Sequence, residues 1–207
     1  MFSRITKATA ALGIMGAVYF AIGAESLAGP DVATFASVGG ETSVPYGWVD
    51  FCQRYRGECQ DDERIPQDID LTRAALRKIE RVNAVVNKSV APVSDQDHWG
   101  IVDQWDYASD GKGDCEEYAL LKRRLLIEEG FPREALLVTV VKEKNGDGHA
   151  ILTIKTNRGE YVLDNLTDSL RPWASAPYRF VKRQSQQNQN VWVAIGAPTS
   201  EPRYVSR

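Results

Sequence analysis

The chain has 207 residues, enough for one domain of ordinary size behind a short leader and too few for two large ones. Charged residues make up 26% and apolar residues 43%, which is globular usage and excludes a disordered chain. With 25 basic and 28 acidic residues the net charge is −3, so no positive field draws nucleic acid or an anionic membrane surface.

The chain opens with Arg4 and Lys7, an apolar run over residues 8–22, and Ser26-Leu27-Ala28 ahead of Gly29. Basic start, apolar middle and small-x-small site come in the order of a signal peptide, expected over residues 1–28. A membrane anchor is the competing reading; the glycines and alanines of the run and the Ser26/Ala28 pair favour cleavage, which leaves no stable membrane span and an exported, periplasmic or secreted, protein. Residues 29–48, rich in Gly, Ser, Thr and Ala, are expected to form a flexible arm, and residues 49–207 the folded domain.

Three cysteines are present. Cys52 and Cys59 enclose a short polar loop, and a disulfide between them is the economical reading for an oxidising compartment. Cys115 then stays a free thiol, either a buried inert one or a nucleophile. Leu71, Ala75, Ile79, Val82 and Val86 follow helical spacing behind Asp70, read as the N-cap. The acidic, aromatic stretch 95–110 reads as a loop. A second helix is expected from Cys115 to Gly130, and strands over 136–141, 149–155, 160–163 and 191–195, with a Gln/Asn-rich loop at 184–190. Helices first and an antiparallel sheet after make an α+β domain.

Cys115 follows Gly111-Lys112-Gly113-Asp114 at the expected helix start, where unpaired N–H groups and the helix dipole favour a thiolate. A base must be His98 or His149, the two histidines of the chain. His149 opens a strand after the Asn145–Gly148 turn residues, while His98 stands in the acidic loop. If the turn sets Lys155 opposite Glu160, Ile151 faces Asp164, and His149 lies two residues along on the same sheet face. Asp164 is then the residue to fix the imidazole tautomer, provided that register holds.

Gly113-Asp114-Cys115-Glu116-Glu117-Tyr118-Ala119, Gly148-His149-Ala150-Ile151-Leu152 and Val162-Leu163-Asp164-Asn165 resemble the three blocks of the bacterial transglutaminase-like cysteine peptidases, which include the LapG-type periplasmic proteases. The likeness continues in Lys122-Arg123 and Gly130-Phe131-Pro132 and in the early pair Cys52 and Cys59. It implies a papain/transglutaminase-like fold, a Cys115-His149-Asp164 triad and a protein substrate, for LapG-type members a surface adhesin whose cleavage releases biofilm. The family commonly has Asp where this chain has Glu117, a change that keeps the charge. In LapG-type members acids flanking the nucleophile bind calcium, which points to Asp114 and Glu116; two carboxylates are too few for a full site, and capping acids are the rival reading. The oxyanion donor is expected at the Cys115 N–H, with Gln104 or Trp105 as side-chain candidates. Acyl transfer of the transglutaminase type and an idle cell-surface binding module are the alternative functions; a zinc site lacks the C-x-x-C or H-x-x-x-H spacing.

Overall fold

The computed structural model describes residues 35–60 and 63–196; the expected leader, residues 29–34 of the arm and residues 197–207 lie outside them. In chain order the elements are β1 (Val38–Thr42), α1 (Tyr46–Arg54), α2 (Arg73–Ser89), β2 (Ala91–Pro92), α3 (Asp95–Trp99), β3 (Lys112–Gly113) and α4 (Cys115–Glu128). Six strands follow: β4 (Leu136–Lys142), β5 (Gly148–Thr156), β6 (Gly159–Asp164), β7 (Thr167–Pro172), β8 (Arg179–Gln184) and β9 (Trp192–Ile195).

Seven strands form one antiparallel sheet in the order β1-β9-β8-β4-β5-β6-β7. Every residue of β4 is buried, as are all but Lys155 of β5, because helices cover one face and the segment before β8 covers the other. On the helical face Ile79, Val82 and Val86 of α2 and Leu126 of α4 pack on Leu136, Leu152 and Leu163. Beside them an aromatic cluster of Trp48, Phe51, Trp105, Tyr107 and Trp192 surrounds the start of α4. A Cβ on Gly47 would stand 2.2 Å from the Trp105 ring, so only glycine lets α1 approach that indole.

The α+β class holds, with the nucleophile candidate at a helix start packed on an antiparallel sheet. Several local expectations change. The cap of α2 is Thr72, whose hydroxyl accepts from the Ala75 N–H at 3.1 Å, while the Asp70 carboxylate turns to Asn157. Residues 38–42 and 46–48 of the expected arm belong to β1 and the start of α1, since β1 finds hydrogen-bond partners on β9. The 95–110 stretch contains α3, capped by Ser94. Gln184 is the buried end of β8, its side-chain Oε1 accepting from the Val138 N–H. No helix among the described residues is long and apolar enough to cross a membrane.

Candidate active site

A two-residue parallel ladder, Ala91 with Lys112 and Pro92 with Gly113, fixes the approach to α4. Asp114 caps the helix, and its N–H donates to Glu117 Oε2 at 2.9 Å while Glu117 Oε1 accepts from Asp106 at 2.8 Å. Glu117 can fold back this way because Gly113 has no side chain; a Cβ there would lie 2.6 Å from Glu117 Cβ. Cys115 is thereby set at the first helical position and is 1% exposed. Its Sγ accepts from the Ala150 N–H at 3.3 Å and donates to Glu116 Oε2 at 3.1 Å. Burial, then the charge of Asp114, push the thiol well above its ordinary value, and the Ala150 N–H pulls the other way. The Cys52–Cys59 disulfide is present, with Cα atoms 5.4 Å apart, and leaves Cys115 as the free cysteine.

Lys155 pairs with Glu160 and Leu152 with Leu163, the register assumed from the sequence. Ala150 and Leu152 then pack toward the helices, while His149 shares the opposite face with Ile151 and Asp164. His149 Nε2 lies 3.0 Å from Asp164 Oδ1, both residues buried. The same oxygen accepts from the Leu166 N–H at 3.1 Å, and Oδ2 accepts from the Tyr178 hydroxyl. Burial alone would raise the Asp164 carboxyl, but the His149 hydrogen bond and charge and the Tyr178 hydroxyl hold it below its ordinary value. His149 Nδ1 is buried and makes no hydrogen bond. The other histidine is committed elsewhere: His98 Nε2 meets Asp110 Oδ2 at 2.9 Å and its ring lies on Trp99. Asp168 accepts from Asn87 at 2.8 Å instead of serving His149.

On the other side of the thiol, Asp95, Asp114, Glu116 and Glu117 bring carboxylate oxygens within 4.8 Å of one another, all four residues buried. Burial and then Asp114 push Asp95 up to about 7, burial and then Asp114 push Glu117 up to about 9, and burial raises Glu116 well above its ordinary value. Asp95 Oδ1 and Glu116 Oε1 are buried without a hydrogen bond. An all-oxygen, like-charged, desolvated set of this kind suits a hard cation such as calcium. The sequence pointed to Asp114 and Glu116, and the fold brings Asp95 and Glu117 beside them: Asp95 is delivered by α3, its N–H bonded to Asp114 Oδ2 and its Oδ2 to the Gln104 N–H. The sole hint was the Ser94-Asp95 pair, a helix-start signal read as loop.

The Trp105 ring is buried in the aromatic core and its indole N–H donates to Asp103 Oδ1 at 2.8 Å. Gln104 is half-buried next to it. Beside the His149–Asp164 pair, a groove of about 430 Å³ is lined by Glu143, Lys144, Asn145, Leu166, Pro177 and Tyr178.

Residues 38–200 match the family described as bacterial transglutaminase-like cysteine proteinase, BTLCP. The chain belongs to this family. It is a cysteine peptidase of the transglutaminase-like class, which acts on protein. Among solved structures the peptidase resembles Legionella pneumophila LapG, at 24% identity over 58% of this chain and 69% of that one, with a TM-score of 0.49. The calcium-bound form of that protein matches at 20% identity over 65% and 75%, with a TM-score of 0.50, and the EGTA-treated form at 24% over 59% and 71%, with 0.49. At these identities the likeness is one of fold. No curated protein matches the peptidase by sequence.

Proposed function

We propose that Cys115, His149 and Asp164 are the catalytic triad of this peptidase and that it hydrolyses a peptide bond in a protein substrate outside the cytosol. The observation that carries the reading is the buried His149–Asp164 pair whose next residue, Ala150, hydrogen-bonds the Cys115 thiol at 3.3 Å. With Nε2–H donated to Asp164, the lone pair of His149 is on Nδ1, which makes no hydrogen bond; it takes the thiol proton once Cys115, whose S–H is on Glu116 Oε2 in this structure, is released toward the ring. The Cys115 thiolate attacks the scissile carbonyl, and the Cys115 N–H and Gln104 are the candidates to receive the oxyanion. Imidazolium then protonates the leaving amine, and a thioester remains on Sγ. Water, deprotonated by His149, attacks the thioester and releases the acid and the thiol. Asp164 orients the ring in both halves.

Asp114 and Glu116, joined by Asp95 and Glu117, would hold calcium. A cation there would supply positive charge beside the thiol, while Glu117 also pins the loop at Asp106 to the helix start. The resemblance to LapG-type proteases supports export through the leader and a surface adhesin as target.

The test uses full-length protein and a candidate surface adhesin from the same cell, incubated with calcium or EGTA and resolved by gel and mass spectrometry. Cys115→Ala should abolish cleavage. Asp164→Asn should fold normally and turn over slower by about 10² to 10³, less than the ~10⁴ a serine enzyme loses because a thiolate needs less help from its base. Full activity in Asp164→Asn would remove Asp164 from the triad, and cleavage that persists in EGTA would remove calcium.

A further inference from the structure

The Asp164 carboxylate has an unequal set of partners. Oδ1 takes two donors, His149 Nε2–H and the Leu166 N–H, whereas Oδ2 takes only the Tyr178 hydroxyl among the described residues. Without a donor on Oδ2 the carboxylate is free to turn about its Cβ–Cγ bond, and that rotation carries Oδ1 away from the imidazole. The tyrosine ring itself lies against the base, its centroid 5.3 Å from that of His149 with the planes at 49°. It packs with Trp173 and Phe180 over Val141, Ile151 and Val162, so the contact belongs to a core cluster. Its backbone is tied to the sheet by the next residue, Arg179, which pairs with Lys142 at the start of β8. The opposite side of Tyr178 borders the groove with Leu166 and Pro177.

We propose that Tyr178 is a positioning residue for the reaction: its hydroxyl locks the Asp164 carboxylate and its ring walls His149, so that the imidazole keeps one orientation and one tautomer through both proton transfers. The inference rests on the reading of His149 and Asp164 as the catalytic couple. No bond is made or broken by Tyr178; its phenol proton stays on oxygen and is shared with Oδ2. A residue outside the three family blocks thereby belongs to the machinery, supplied by the segment that leads into β8. An isolated triad would depend on Leu166 alone to hold the acid.

The experiment is nitrogen-15 NMR of the imidazoles in the full chain with saturating calcium, His149 being assigned by difference against His98→Gln. The wild-type protein should show a low-field, slowly exchanging Nε2–H resonance for His149. In Tyr178→Phe, which keeps the ring, that resonance should move and broaden by exchange with water. Alkylation of Cys115 by iodoacetamide at a fixed pH near 7 should slow about tenfold, while Tm changes little. Full replacement of tyrosine by 3-fluorotyrosine, a stronger donor that keeps the fold, should move the same resonance and leave it sharp. An unchanged resonance and unchanged alkylation in both proteins would overturn the proposal. Absence of an Nε2–H signal already in the wild type would overturn the His149–Asp164 reading beneath it, which keeps the two failures apart.

Discussion

Lys122 carries an ammonium group into the core, two turns along α4 from Cys115. It is 1% exposed, its Nζ makes no hydrogen bond, and its nearest aromatic partner is the Tyr118 ring at 5.7 Å. Burial lowers its pKa to about 7, opposed by the charges of Asp164 and Asp168. The sign of the resulting pH dependence follows from proton counts. Below about 7 both folded and unfolded chains carry the charge, and the folded chain bears the full cost of burying it. Between that value and 10.5, the ordinary lysine value, the unfolded chain keeps a proton that the folded chain has released, so stability from this group grows as pH rises. Lys122→Met keeps the volume and removes the charge. It should raise stability on the order of 1–3 kcal/mol at about pH 6 and by much less near pH 10. Thermal melts of both proteins at the two pH values check this, and an equal offset at both would show that packing, not charge, sets the difference.

Helix α2 holds the turn that carries Asp164. Asn83 Nδ2 donates to the carbonyls of Thr167 and Asp168 at 3.2 and 3.0 Å, and Asn87 Nδ2 reaches the Asp164 carbonyl at 3.0 Å. These amides substitute for strand partners that the β6–β7 turn cannot provide. Asn83→Ala removes a buried amide that holds two carbonyls of the half-exposed β7, so it should cost about 1–2 kcal/mol and speed hydrogen exchange in β7 ahead of β4 and β5. Exchange that accelerates uniformly across the sheet would contradict a local clamp. Nothing in the sequence marks Asn83 for this task, because an isolated Asn between apolar residues looks like a solvated helix position. The elements that were legible announce themselves locally: α4 has Asp114 before it and Gly130 after it at φ 91°, and β4 to β6 are apolar runs between glycine turns. Strands β1, β7 and β8 carry no such mark. β1 contains a Gly-Gly pair and is largely exposed, and β7 is a half-exposed edge strand ending in proline. β8 buries Lys182, Arg183 and Gln184, and Arg183 is tolerated there because it meets Glu160 at 2.6 Å across the sheet.

Across the chain as a whole, the site joins two halves with opposite electrical character. The strands supply a histidine and a carboxylate that satisfy each other, whereas the helix starts of α3 and α4 supply four buried carboxylates that repel. The triad candidates were readable because each sits in a short, distinctive block. The acid cluster was half readable because Asp95 meets Asp114 only after the chain folds back 19 residues. Repulsion of this kind costs stability in the ion-free chain, and a divalent cation converts it into attraction. Calcium at a hundredfold excess over its Kd should therefore add about 2.7 kcal/mol, or about 5 to 10 °C in Tm for a domain of this size. Glu116→Gln replaces one of the four carboxyls, whose raised pKa reflects the cost of ionising it there, with little change of shape. Without calcium this variant should melt above the wild type, because one repulsive member is gone; with calcium it should melt below it, because one ligand charge is gone. The two melting curves must cross as calcium is added. A variant that melts below the wild type in EGTA and still gains the full calcium shift would show that Glu116 is a packing residue and that the cation, if it binds, is held by other groups.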